Sequence, residues 1–162
     1  MAASRQGKIL EAAISRIRVL ELDGLPYESV GILKVEETGT FVLPPPAAAV
    51  LASPRERLVA NEGTNLSRVI WYPLLVILRR PALDLGLPDL DGQDAMFNWR
   101  EAVIDVFFEK ASQLIAAGAP SEVCTIAFEP GPILDVGVYN SQRLWQSRLQ
   151  FWVKCEETKS NA

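Results

Sequence analysis

The 162-residue chain contains no histidine, and only two cysteines and two methionines. The absence of histidine removes the commonest general base, the commonest metal ligand and every Ser–His or Cys–His nucleophile pair. The glycines are dispersed singly, and neither a GxGxxG sequence nor a Walker-type phosphate loop is present. We therefore expect a protein that is not an enzyme and that carries no cofactor.

Two further pairs of side chains are candidates for chemistry, and both favour an ordinary structural interpretation. Cys124 and Cys155 are too few for a disulfide framework, so we expect buried, reduced thiols in a reducing compartment. No activating partner for a Cys124 nucleophile is visible. Glu101 and Asp105 have the i, i+4 spacing of one helix face, on the polar side of that helix, which predicts solvated surface.

Four carboxylates fall within eleven residues, at Asp84, Asp89, Asp91 and Asp94. An EF-hand loop would need oxygen ligands, a glycine and a final glutamate at positions that this segment fills with other residues. We interpret the segment as a solvated acidic loop in which Asp94 is the N-cap of the next helix. The alternative is an adventitious or subunit-shared cation, and we predict no dedicated metal site.

Charge and hydropathy limit the partners. The net charge is −4 with Lys and Arg scattered, which argues against tight nucleic-acid binding, because phosphate recognition needs clustered cations. The N-terminus lacks the apolar stretch of a signal peptide. The longest uncharged runs, 38–54 and 69–78, are interrupted by proline or fall short of the roughly 20 residues that cross a bilayer. The sequence predicts a soluble protein without a membrane span.

The order of periodic segments predicts an α+β fold of one domain, over residues 1–157, followed by a disordered tail over 158–162. Its sheet is expected to be mostly antiparallel, with about five strands packed against two helices. The helices are predicted over 4–22 and 95–117, and the strands over 30–36, 68–79, 123–128, 133–139 and 143–155, with weaker candidates at 40–43 and 57–60. Pro73 should mark a bulge or an unpaired edge in the apolar strand 68–79.

The segment 44–67 is the least regular part of the chain. It begins with Pro44, Pro45 and Pro46, which favour a stiff polyproline spacer rather than sheet interior. We interpret it as an arm that contacts a neighbouring subunit, or else as a plain mobile loop.

The last strand alternates over its whole length. Its apolar face carries Trp145, Leu149, Phe151, Val153 and Cys155. Such a strand must complete a sheet within the domain or across a subunit boundary. Trp152 stands on the otherwise polar face, which suggests burial there too, by another chain. Pro44, Pro45, Pro46 and Trp152 are therefore the candidate subunit contacts.

The order and texture of the elements resemble the tail-terminator and tail-completion (neck) proteins of tailed bacteriophages. The resemblance rests on the leading helix MAASRQGKILEAAISRIRVL, the apolar strand before an Asp-rich loop, the helix DAMFNWREAVIDVFFEKASQLI and the terminal strand RLWQSRLQFWVKCEE. It covers most of the chain without a diagnostic motif.

That resemblance implies a small structural subunit that forms a ring, a homohexamer, capping the tail tube and joining it to the head connector. Double-stranded DNA would pass through the ring without specific binding, which a net acidic chain favours. The protein would occur in the virion neck, and in the host cytoplasm during assembly. Two alternatives stay open: another head-completion or baseplate adaptor protein, and a small-molecule binding module or enzyme with a pocket between helix and sheet.

Overall fold

The computed structural model describes residues 4–32, 44–52, 58–60, 67–83 and 89–158. These residues form an α+β fold, which confirms the predicted class. In chain order the elements are α1 (Arg5–Val19), a 3₁₀ turn (Tyr27–Ser29), β1 (Val30–Ile32), β2 (Ala47–Leu51), β3 (Leu58–Ala60), β4 (Ser67–Pro81), α2 (Leu90–Phe107), α3 (Ala111–Ala116), β5 (Val123–Glu129), α4 (Val136–Gln142) and β6 (Leu144–Thr158).

The described strands form one six-stranded sheet in the order β1-β2-β4-β6-β5, with β3 also paired to β4. The β1–β2 pair is parallel and the other pairs are antiparallel. The centre of the sheet is the pair β4–β6, whose partners run without interruption from Ser67↔Thr158 to Pro81↔Leu144. The terminal strand therefore completes the sheet within its own chain, so its ladder needs no second subunit.

Helices cover one face of this sheet. Ile9, Ala13 and Ile17 of α1 and Trp99 and Val103 of α2 are all at most 2% exposed. They share a single apolar cluster with the side chains that β4, β5 and β6 direct to the same face. This layer of helix on sheet is the main core of the fold.

Strand β2 lies inside the segment that the sequence analysis interpreted as an arm. Its sequence AAAVL has little strand propensity, so burial decides its conformation. Ala48 of β2 and Ala13 of α1 are both fully buried in the main core, and side chains this small let helix and strand approach closely. The short strand expected over 57–60 is present as β3, whereas the candidate at 40–43 lies outside the described residues.

Two predicted elements are wrong. The segment 133–139 contains no strand; it leads into helix α4, which Asp135 caps by accepting a hydrogen bond from the Val138 N–H at 3.0 Å. The predicted helix 95–117 is two helices, α2 and α3. They are separated at Glu109, whose φ of 58° breaks the helical path and whose N–H donates to the Ile126 carbonyl of β5 at 3.3 Å.

Pro73 sits opposite Trp152 in an unbroken β4–β6 register, so the expected bulge is absent from this pair. On the other edge of β4, the pairing with β2 ends at Leu75 and the pairing with β3 ends at Trp71, on either side of Pro73. Its missing N–H thus costs no ladder bond to a described strand, and its carbonyl accepts from the Gln6 side chain at 3.0 Å.

Candidate interaction surface

The sheet face away from the helices carries a groove of about 860 Å³, here called the open-face groove. Its floor includes Leu75 of β4, and one side is formed by Gln146, Arg148 and Gln150 of β6. The other side is the connection from β5 to α4, residues 129–136. Strand alternation explains the position, because Leu74 and Val76 point into the helix-covered core while Leu75 belongs to a separate small cluster on the opposite face.

The wall of the open-face groove is held by hydrogen bonds to β6. The Ser147 hydroxyl donates to the Ile133 carbonyl at 2.6 Å, and the Asp135 N–H donates to the Gln146 carbonyl at 2.9 Å. Arg100 of α2 donates to the Ser147 oxygen from below at 2.8 Å. Burial lowers the pKa of the Arg100 guanidinium from its ordinary value. The wall is therefore fixed by side chains far apart in the sequence.

The accessible lining of the groove combines apolar, amide and charged groups. Pro130, Pro132 and Val136 offer exposed apolar surface, Gln150 offers a partly exposed amide, and Arg148 is exposed to solvent. Within the described ranges no carboxylate forms an ion pair with Arg148. Its charge is thus available to a partner.

Exposed apolar side chains gather around one end of the sheet. Val136 (66% exposed) lines the groove, Ile133 (52%) lies in the same connection from β5 to α4, and Leu83 (61%) and Leu90 (64%) flank the start of α2. The two groups meet through Trp145 of β6, whose neighbour Gln146 bonds the groove wall and whose indole N–H donates to Asp89 at 2.7 Å. Such concentrations of apolar surface mark binding sites more often than chance exposure does.

At the opposite end of the sheet a buried carboxylate is surrounded by hydrogen-bonding and charged partners. Glu157 at the end of β6 is 1% exposed and accepts hydrogen bonds from Tyr72 and from Arg68, whose Nη2 lies 3.0 Å away. Arg5 of α1 reaches the same carboxylate at 3.4 Å and also pairs with Glu122 at 3.5 Å. This cluster was not among the predicted sites, although the alternation of β6 places residue 157 on the buried face with Cys155.

The acidic segment is organised differently from the expectation. Asp89, not Asp94, is the N-cap of α2; it is 3% exposed and accepts from the Gly92 and Leu83 N–H groups as well as from Trp145. Asp91 and Asp94 are exposed within α2, and Asp84 lies outside the described residues. In the part of the chain that the structure describes, no cluster of acidic or cysteine side chains could hold a metal ion.

The predicted subunit contacts lie apart from the groove. Pro44 is exposed, and Pro45 and Pro46 are half-buried directly before β2. Trp152 is 8% exposed in the single chain, so its burial does not require another subunit. None of the four lines the open-face groove.

The remaining candidate side chains divide between surface and core. Glu101 and Asp105 are exposed, as the helix pattern predicted. Cys124 is exposed, which corrects the expectation of two buried thiols; it lies at an irregularity in the β5–β6 pairing. Cys155 is buried, and burial, with the nearby Glu157 charge, raises the pKa of its thiol to about 12.

Comparison with protein-family models and with curated proteins finds no match for this chain. No helix among the described residues combines the length and apolar character that crossing a membrane requires.

Proposed function

We propose that the chain is a structural subunit of the bacteriophage neck, a tail terminator or tail-completion protein that assembles into a ring. One observation carries the proposal: a chain with a closed helix-on-sheet core also has an open groove and exposed apolar side chains at one end of its sheet. Surface of this kind is retained where a protein binds other proteins.

In this function the subunits form a closed homo-oligomer, a hexamer, between the tail tube and the head connector. Rings arise when a contact between two different patches of the same chain closes on itself. Double-stranded DNA passes through the opening without specific binding, in keeping with the net charge of −4. The protein then occurs in host cytoplasm during assembly and in the virion neck afterwards, and no catalytic residue is assigned.

A small-molecule binding module is the second candidate, because the volume of the open-face groove lies within the ~300–1,000 Å³ typical of ligand pockets. The groove, however, runs along an outer sheet face between an exposed arginine and the exposed wall residues 130–133. A metabolite there would keep much of its surface in water, whereas a protein segment would cover the wall. A head-completion or baseplate adaptor would use the same kind of surface with other neighbours.

Electron microscopy with light scattering on the purified chain tests the proposal. We expect particles of one stoichiometry with a central opening, and, in lysates of phage-producing cells, images of the ring at the junction of tail and head. A monomer at every concentration whose melting temperature rises with a metabolite would contradict the proposal. A ring found at a baseplate would favour the adaptor function.

A further inference from the structure

The turn between α2 and α3 presents an aromatic side chain to solvent. Phe108, Glu109 and Lys110, here called the Phe108 turn, are all exposed, with Phe108 at 44%. Phe108 follows the last residue of α2, and its N–H donates to the Ile104 carbonyl at 2.8 Å. The Glu109 N–H is bonded to Ile126 of β5. Two backbone hydrogen bonds therefore hold the turn in place, so little conformational freedom would be lost when it binds.

One of the charges that follow Phe108 complements Arg148 of the open-face groove. Glu109 and Lys110 follow Phe108 in the turn, and Arg148 is exposed on one side of the groove. Neither Glu109 nor Arg148 forms an ion pair with any described residue. An aromatic ring packed against the exposed groove residues Pro130, Pro132 and Val136 would place the Glu109 anion of the turn beside the Arg148 cation of the groove.

The two patches face in different directions. The Phe108 turn belongs to the helical layer, and the open-face groove lies on the opposite face of the sheet. A single neighbour cannot contact both surfaces. The turn of one copy therefore binds one neighbour, and its groove binds the turn of another. This is a heterologous contact, the type from which rings are built.

We infer that the open-face groove of one subunit binds the Phe108 turn of the next, with Phe108 as the apolar anchor and Glu109 paired with Arg148. The inference rests on the proposed self-assembly and specifies its contact. The occupant is a second copy of this chain, because the chain itself carries a rigid turn whose apolar and charged groups match the groove. Aromatic anchors in the centre of an interface with charged rims are the usual arrangement of such contacts.

Sedimentation velocity of the full chain tests the anchor. Phe108→Ala and Arg148→Glu should each weaken self-association at least about tenfold, since central interface residues dominate binding. Tyr27→Ala is the matched control, because Tyr27 is an aromatic of 63% exposure outside both patches; it should leave assembly unchanged. Circular dichroism melting shows whether each variant is folded.

Mixing the two weakened variants gives the sharper result. The Phe108→Ala variant retains an intact groove, and the Arg148→Glu variant retains an intact turn. Each alone should therefore assemble only weakly, while the mixture forms a one-to-one dimer that does not grow further. The double variant Glu109→Arg with Arg148→Glu should regain assembly because the ion pair is restored in reverse. Native mass spectrometry reads both outcomes.

The failures are distinguishable. A wild-type chain that assembles while Phe108→Ala and Arg148→Glu assemble equally well overturns this contact and leaves the proposed ring standing. A wild-type assembly that ends at a two-fold dimer overturns the heterologous contact. A wild-type chain that stays monomeric at all concentrations overturns both the contact and the proposed function.

Discussion

The two faces of the sheet are built from the same strands but are completed in different ways. On the helix side, residues such as Leu74, Leu149 and Phe151 are fully buried beneath α1 and α2. On the other side, neighbouring residues of the same strands form the floor and edge of an open groove. A single alternating pattern therefore supplies the core with one set of side chains and the open groove with the set between them.

The largest effect is expected from Leu74 and Leu75, two leucines on opposite faces of β4. Leu74→Ala leaves a cavity in the main core and should lower the free energy of unfolding by about 3 kcal/mol. Leu75 is 4% exposed in a small cluster beside the groove, so water can enter the space that Leu75→Ala leaves, and this variant should cost only about 1–2 kcal/mol. Urea unfolding of both variants measures the difference; equal costs would contradict the distinction between the two faces.

Gly92 comes next. A Cβ at this position would lie 2.1 Å from Asp89 Oδ2 and 2.8 Å from the Trp145 indole nitrogen, so Gly92→Ala must displace the N-cap of α2. We expect a loss of about 2 kcal/mol despite the better helix propensity of alanine. Gly131→Ala is the control, since a Cβ there meets nothing within 4 Å. Thermal melting that ranks the two variants equally would refute this role.

A smaller effect is expected at the charged end of the sheet. Glu157→Gln keeps the size of the buried side chain but removes the charge that faces Arg68 and Arg5. Because both arginines remain partly hydrated, we expect a loss of about 1 kcal/mol that shrinks at high salt. The exposed neighbour Glu156→Gln should change stability by less than about 0.5 kcal/mol. Urea midpoints at low and high salt test the pair.

The buried Cys155 thiol should affect the free energy of unfolding only above neutral pH. The two thiols should differ clearly in their reactivity. With its pKa raised to about 12, Cys155 stays protonated in the folded chain while it ionises near pH 9 in the unfolded chain. Protons are then held more tightly by the folded state, so stability should fall as pH rises from about 9 toward 12. Cys155→Ala should flatten this slope.

A thiol reagent at pH 8 provides the direct count. One fast-reacting thiol, Cys124, is expected in the folded chain and two after unfolding, because Cys155 is buried and protonated. Two fast thiols in the folded chain would show that the end of β6 is open.

The elements that could be predicted from sequence are those with long, regular periodicity. Fifteen-residue α1 and β6 fall where their patterns place them, because each buries one continuous face. The seven-residue helix α4 was misread as a strand, since so short a segment has no clear period and its Asp135 cap decides it. Strand β2 could not be predicted because packing against α1, and not strand propensity, determines the conformation of its alanines.

The open-face groove could not be predicted in the same way. Its wall depends on Ser147 bonding Ile133 across 14 residues and on Arg100 reaching Ser147 across 47 residues. The hydropathy pattern of one segment does not reveal hydrogen bonds between segments that are distant in the sequence. Arg148 was visible only as one of several polar residues on a strand, and the groove gives it a place beside the wall.

The central claim is that copies of the chain meet at the groove side of the sheet. Hydrogen exchange measured on the protein at low and at high concentration tests this claim most directly. The account predicts that, on assembly, amides of the connection 129–136 and of the Phe108 turn gain protection while those of α1 and the β4–β6 centre keep their rates. An assembled chain in which 129–136 exchanges as fast as in the monomer, with new protection confined to other surfaces, would contradict it.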